Sequence, residues 1–167
     1  MRSTVGFVDY INDSVRLLII LETANRLKPT HRITENRIKL YDYYLKFPHT
    51  MFDDDLIRDE IKANFDEYYA FFHWKPDVVR YRSNLNYLIA RGFIEKRLED
   101  SDLFYIICPQ GVESLSKMNS GYKQRLVALA AKSVPVISKL SDKKIEEDIA
   151  KKTNILLRRA GGKIDEN

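Results

Sequence analysis

One stretch of the sequence, residues 88–111, constrains the fold more than any other. It reads LIARGFIEKRLEDSDLFYIICPQG, in which two apolar, strand-like runs, GFIEK and LFYIIC, flank the polar turn LEDSD. A helical pattern leads into the first run, and Pro109 after the second run suits the first turn of another helix. The order helix, strand, turn, strand, helix predicts the core of a winged helix-turn-helix domain.

Helical patterns extend on both sides of this hairpin. The segment VRLLIIL is apolar on nearly all sides, which is typical of a central helix that other elements cover. Asn12 or Asp13 should cap this helix, and Pro29 should end it. A second helix should open at Thr34, and the helix that leads into the hairpin should stop at Gly92.

The composition permits a folded core of this kind. The chain has 167 residues, 44% of them hydrophobic, and includes ten tyrosines and eight phenylalanines. Such a chain can bury a sizeable core, which argues against global disorder. We therefore predict a mainly α protein with a small β-hairpin, formed by a winged helix-turn-helix core over 10–118, additional C-terminal helices over 119–160 and a flexible tail over 161–167.

The single cysteine, Cys108, excludes an internal disulfide and any thiolate-rich zinc site. The N-terminal segment MRSTVGFVDYIND lacks the apolar run of a signal peptide. The most apolar run, Leu17–Leu21, is too short to span a bilayer. We expect a cytoplasmic protein without a membrane partner.

No pattern typical of an active site or a cofactor site occurs in the sequence. The glycines form no G-x-G-x-x-G, G-x-x-x-x-G-K-[ST] or G-x-S-x-G motif. The three histidines, His31, His49 and His73, are not spaced like metal ligands on one helix. We therefore expect no enzyme, no catalytic residue, no metal, no cofactor and no small-molecule substrate.

Two segments in the middle of the chain leave their role open. Residues 53–60, DDDLIRDE, are strongly acidic and are typical of a solvated helix start. Residues 65–74, FDEYYAFFHW, are dense in aromatic side chains without interleaved basic residues, which favours a core or an interface over a platform for stacking bases.

The helix that precedes the hairpin separates apolar from polar residues. Its apolar face holds Tyr81, Leu85, Leu88 and Ile89, whereas its polar side carries Arg80, Asn84, Tyr87 and Arg91, with Arg82 on the flank. Arginine and asparagine side chains bind phosphates and read base edges, so the residues of the polar side are candidates for DNA binding. A polar helix face also suits solvent or a protein partner, and this alternative stays open.

The tip of the hairpin favours a different contact. It carries Glu99, Asp100 and Asp102 and no basic residue. Because phosphate contacts depend on basic side chains, this tip should be repelled by a DNA backbone. We therefore take the three acids as candidate partner-binding residues.

The last helix, from about Ser141 to Arg159, carries a narrow apolar stripe of Ile145, Ile149 and Leu156 on a highly charged surface. This stripe either packs against the body of the same chain or docks onto a partner, as an amphipathic helix does in a groove. We take its residues as candidate partner contacts. The basic residues of the same helix are further candidates for DNA binding, namely Lys151, Lys152, Arg158 and Arg159.

The order of these segments resembles a known family. The most telling pieces are KLYDYYLKF, with Asp42 inside a tyrosine-rich helix, and RYRSNLNYLIARGFIE. Together they resemble the middle component of three-component ABC-ATPase systems, a group that includes the small subunit of Lamassu-type anti-phage defence. The resemblance covers roughly residues 10–130.

The resemblance implies a role. Subunits of this kind are similar to the small winged-helix partners of SMC-like ATPases. The chain would then be a non-catalytic bridge between an SMC-like ABC ATPase and a nuclease-type effector subunit, with double-stranded DNA sensed through the complex. The alternative is a free-standing dimeric winged-helix transcription regulator, in which Arg80, Asn84 and Arg91 read an operator.

Overall fold

The computed structural model describes residues 3–29, 32–52 and 77–161, with the side chains described between residues 10 and 155. The acidic segment 53–60, the aromatic segment 65–74 and the last six residues of the tail lie outside the described residues. The described helices are α1 Ser3–Leu27, α2 Glu35–Lys46, α3 Pro48–Met51, α4 Val78–Ala90, α5 Pro109–Lys117, α6 Gly121–Ile137 and α7 Asp142–Gly161. The strands are β1 Ile33–Thr34, β2 Ile94–Glu99 and β3 Asp102–Ile107.

Helix α1 is the centre of the fold. Leu17, Leu18, Ile19, Ile20 and Leu21 are all buried, as the apolar run predicts, because α2, α4, α5 and α6 pack around this helix. The prediction that Asn12 or Asp13 caps the helix is wrong, since α1 begins at Ser3. Both residues lie inside the helix.

The ends of α2, α4 and α5 follow from local sequence signals. The Thr34 hydroxyl accepts a hydrogen bond from the Arg37 amide at 3.2 Å and caps α2. Asp77 caps α4 in the same way, through the amides of Val79 and Arg80. Gly92, with a φ of 69°, follows the C-cap of α4, and its left-handed backbone is easily adopted by glycine.

Strands β2 and β3 form the predicted hairpin. Asp100 and Ser101 connect them with φ values of 50° and 73°, the two positive angles that a tight two-residue hairpin turn requires. A third strand, β1, also pairs antiparallel with β3, so the sheet order is β1-β3-β2. The sequence did not reveal β1, because two residues are too short to show an alternating pattern.

The C-terminal helices share the core of the preceding elements. Leu126, Leu129 and Val134 of α6 and Ile145 and Ile149 of α7 belong to the same buried cluster as α1 and α2. The expected mainly helical fold with a small antiparallel hairpin is confirmed, with β1 added to the sheet. None of the described helices combines the length and the hydropathy that a membrane span requires.

Candidate functional site

The polar side of α4 is narrower than the sequence predicts. Leu85 and Leu88 are buried, as predicted, but Asn84 is buried with them at 2% exposure. With 100° between successive residues of a helix, Asn84 lies only about 40° around the axis from Leu88, so it falls inside the arc that faces the core. Asn84 therefore does not lie on an exposed DNA-binding face, which corrects its place among the candidates.

The other four candidates of this helix are exposed, but two of them are engaged within the chain. Arg80 forms an ion pair with Asp13 of α1 at 2.6 Å, and Arg82 lies 3.7 Å from a Glu35 carboxylate oxygen. Arg91 lies over the ring of Phe93, 5.6 Å from its centroid. The positive charge of this face is thus partly offset by acids of α1 and α2.

Tyr87 completes this surface through a contact with α1. Its ring packs edge-on against the ring of Tyr10, with 5.6 Å between the centroids. The Tyr10 hydroxyl donates a hydrogen bond to the Ser83 carbonyl at 3.1 Å. The exposed face of α4 is therefore fixed relative to α1.

A buried polar network lies beneath this face. The guanidinium of Arg16 donates hydrogen bonds to Asp42 through Nε and through Nη2, the latter at 3.3 Å. It also donates to Asp13 at 2.7 Å and to the Tyr122 hydroxyl at 3.3 Å. The Tyr81 hydroxyl donates to the second oxygen of Asp42. These contacts join α1, α2, α4 and α6 around one carboxylate.

The network changes the proton affinity of its members. Burial by itself would lower the pKa of Arg16, but the charge and hydrogen bond of Asp42 outweigh it and raise this pKa well above its ordinary value. Burial, followed by the Asp42 charge, raises the pKa of Tyr81. Arg16 therefore stays charged and Tyr81 stays protonated, which is the state that the hydrogen bonds require.

A cavity of about 700 Å³ opens beside the network. It is lined by α1, α2, the start of α4 and Glu146 of α7. Asn84 belongs to this lining, and its side-chain oxygen is buried without a hydrogen-bond partner among the described residues. Acidic and basic side chains line the cavity in equal number, so its charge does not select a cation or an anion.

The tip of the β2–β3 hairpin is partly neutralised from within the chain. Arg32, which precedes β1, contacts Glu99 at 2.7 Å and Asp100 at 3.1 Å. The hydrogen bond with Asp100 and the charge of Glu99 raise the pKa of Arg32. One arginine for three carboxylates leaves the tip acidic, so it still disfavours contact with phosphate.

The apolar stripe of α7 faces inward. Ile145 and Ile149 are fully buried in the chain's own core, so in this structure they are not exposed to a partner. The physical reason is that α7 lies against α2 and α3, whose apolar side chains cover the stripe. The side chains of Leu156, Arg158 and Arg159 lie outside the described ones.

The two remaining basic candidates on α7 differ from each other. Lys151 is exposed. Lys152 donates a hydrogen bond to the Met51 carbonyl at 2.5 Å and pairs with Asp148 at 2.9 Å, which holds it against α3. Within the described part of the chain, Lys151 forms no such bond.

The described residues offer little for chemistry. Among them, no three His, Cys, Asp or Glu side chains lie close enough together to hold a metal ion. Burial and the nearby charge of Glu95 raise the pKa of the Cys108 thiol, which makes it a poor nucleophile.

Sequence reasoning did not predict the Arg16–Asp42–Tyr81 network. The signals were present as an arginine inside an apolar helix and an aspartate inside a tyrosine-rich helix. Buried charges of this kind need partners, so each of them required the other. Their wide separation in the sequence hid the pairing.

Comparison with known proteins defines the class of protein to which this chain belongs. Residues 7–159 match the family described as the ABC-three component (ABC-3C) system Middle Component 2. The chain belongs to this family. It is therefore an accessory component of a multi-component ABC system, whose partners include an ABC ATPase. No curated protein and no solved structure matches the chain.

Proposed function

We propose that this chain is a non-catalytic subunit of a Lamassu-type anti-phage defence complex. In this complex it connects an SMC-like ABC ATPase to a nuclease-type effector and assists the sensing of double-stranded DNA. Family membership supports the link to an ABC ATPase. The charge of α4 and of the hairpin tip supports the bridging role.

A winged helix-turn-helix core fits the observed topology. Apart from the short α3 between α2 and α4, the order is α1, β1, α2, α4, β2, β3, and β1 pairs with the edge of β3 opposite β2. Winged-helix domains arrange their helices and their wing in this order. In this arrangement α4 takes the position of the recognition helix and the β2–β3 hairpin takes the position of the wing.

The observation that favours a bridge over a free-standing DNA binder is the charge of these two elements. Arg80 is paired with Asp13, and Arg82 lies near Glu35. The wing ends in carboxylates. A surface of this kind gains little from neutralising phosphates. DNA contact in the complex would then rest on Arg91 and Lys151, on the predicted candidates Arg158 and Arg159, and on the partner subunits.

The proposal is tested by co-expressing the chain with the ATPase and effector of the same system. We expect the chain to co-purify with the ATPase in a fixed ratio, and we expect its deletion to abolish protection against phage in a plaque assay. The isolated chain should bind duplex DNA weakly and without sequence preference, since most of its basic residues on α4 are already engaged.

A dimeric transcription regulator is the second candidate, and the absence of acidic residues from α4 itself favours it. It requires a stable homodimer that binds one operator tightly and selectively. If the purified chain forms such a dimer, ignores the ATPase and shows this selectivity in a gel-shift titration, the subunit proposal is wrong.

A further inference from the structure

The wing carries an exposed apolar pair near its tip. Leu98 of β2 is 67% exposed and Leu103 of β3 is 46% exposed. The two residues are direct cross-strand partners in the register of the hairpin. Because directly opposed residues of an antiparallel pair share one face, the two side chains lie side by side and form one small patch.

This patch continues the core-facing side of the sheet. Side chains alternate between the faces of a strand, so Leu98 and Leu103 share their face with Ile94, Tyr105 and Ile107. Those three residues are buried. Lys96, between Ile94 and Leu98, is exposed and lies over the Tyr105 ring at 5.9 Å. The core side of the hairpin thus projects beyond the body of the chain and ends in two leucines.

Carboxylates lie at the tip of the hairpin, beyond the outer end of the patch. Glu99 and Asp102 are the next cross-strand pair, so by the same alternation their side chains point to the opposite face of the sheet from the leucines, and Asp100 lies in the turn between them. Arg32 contacts Glu99 and Asp100, whereas among the described residues Asp102 forms no ion pair. An apolar pair next to acids that one arginine only partly neutralises matches the layout of an interface, with an apolar anchor and a charged rim at the tip.

The charge of the rim decides between occupants. A DNA backbone would face carboxylates and would be repelled. A second copy in a two-fold arrangement would present the same patch to itself, which brings like charges together. A protein surface with an apolar depression ringed by lysine or arginine would bury the two leucines and pair with the acids.

We propose that Leu98 and Leu103 anchor the wing in a lysine- or arginine-rimmed apolar depression on the ABC ATPase subunit. This inference rests on the proposed function, because it assumes that the chain assembles with that ATPase. Beyond the proposed function, it names the residues that make the contact and the chemistry of the ATPase surface that binds them.

The anchor is tested with the double variant Leu98→Thr/Leu103→Thr. Threonine keeps the strand propensity of the hairpin while it removes most of the apolar surface, so the variant should fold. We expect its affinity for the purified ATPase to fall by at least about tenfold in biolayer interferometry, as for an anchor at the centre of an interface. Val136→Thr is the matched control, because Val136 is 50% exposed on α6, and it should bind like the wild type.

The rim is tested with Asp102→Lys. Charge reversal at a basic surface should weaken binding by about tenfold or more at low salt, and this effect should shrink as salt is raised. Glu113→Lys is the control, since Glu113 is an exposed acid on α5 away from the hairpin. Circular dichroism and thermal unfolding of each variant verify that the fold is retained.

The outcomes separate this inference from the proposed function. If the wild type binds the ATPase and the folded double variant binds equally well, the proposal that Leu98 and Leu103 are the anchor is wrong, and the subunit proposal stands. If the wild type itself does not bind the ATPase, both fail. If the leucine variant instead loses binding to duplex DNA, or loses self-association in analytical ultracentrifugation, with ATPase binding unchanged, the occupant is different and the inference is wrong.

Discussion

Asp42 lies in a helix that is otherwise rich in tyrosine and leucine, and it accepts hydrogen bonds from Arg16 and Tyr81. Both Asp42 and Arg16 are buried. A buried ion pair contributes little net stability compared with apolar residues, but the loss of one partner is costly because the other charge stays buried. At the scale of single residues, this pairing fixes how α1, α2 and α4 meet.

Asp42→Ala should therefore destabilise the chain by about 3 kcal/mol, the lower end of the cost of breaking a buried ion pair, because Arg16 keeps only Asp13 and Tyr122 as partners and Tyr81 loses its acceptor. Urea unfolding followed by circular dichroism measures this loss. Asp102→Ala is the control, because its carboxylate is exposed and its removal should change the free energy of unfolding by less than about 0.5 kcal/mol. A loss below about 1 kcal/mol for Asp42→Ala would contradict the prediction and show that Asp13 alone compensates the charge of Arg16.

At the scale of elements, α7 is attached to the body by both apolar and polar contacts. Ile145 and Ile149 enter the core, and Asp148 accepts a hydrogen bond from the Tyr44 hydroxyl at 2.5 Å. Arg37 of α2 contacts Asp142 at 2.5 Å and donates to the Leu140 carbonyl at 2.7 Å. The helix that the sequence offered as a docking stripe is thus an integral part of the fold.

Ile149→Asp should unfold the chain or lower its stability by more than about 4 kcal/mol, because a charge placed in the core without a partner is strongly disfavoured. Ile155→Asp is the matched control on the same helix, since Ile155 is partly exposed, and it should leave the thermal midpoint nearly unchanged. A folded Ile149→Asp variant that merely fails to bind its partner would restore the docking interpretation of α7.

At the scale of the whole molecule, buried tyrosines are spread across the fold. Burial is the main cause that raises the pKa values of Tyr41, Tyr44, Tyr81 and Tyr105 above their ordinary value of 10.0. For Tyr44 the hydrogen bond to Asp148 adds to this effect. The folded state therefore holds these phenolic protons more tightly than the unfolded chain does.

This difference predicts a loss of stability at alkaline pH. Below about pH 10 both states are protonated at these tyrosines, and their contribution to stability is fully present. As the pH rises further, the unfolded state loses its phenolic protons first, so the free energy of unfolding decreases. The urea midpoint, measured from about pH 8 to about pH 11, should fall above about pH 10. Tyr44→Phe should make this decrease with pH less steep. An unchanged midpoint over this range would contradict the prediction.

Much of the fold follows from the sequence, whereas the site follows from it only in part. The hairpin, the helix start at Thr34 and the buried face of α4 were visible in the sequence, because each depends on residues a few positions apart, whereas the Asp77 cap was not predicted. The winged-helix assignment and the domain boundaries stay predictions. The exposure of the polar residues of α4 was harder to predict, because the sequence pattern does not show how wide an arc of the helix the neighbouring elements cover.

By itself the sequence determined the local elements, the acidic tip of the wing and the resemblance to the middle components of three-component ABC systems. The tertiary structure alone decided that Asn84, Ile145 and Ile149 are buried, that Asp13 pairs with Arg80, and that Leu98 and Leu103 project from the wing. Helix caps and tight turns are set by short-range geometry. The exposure of a side chain and the partner of a charge depend on groups that meet only when segments far apart in the sequence pack together.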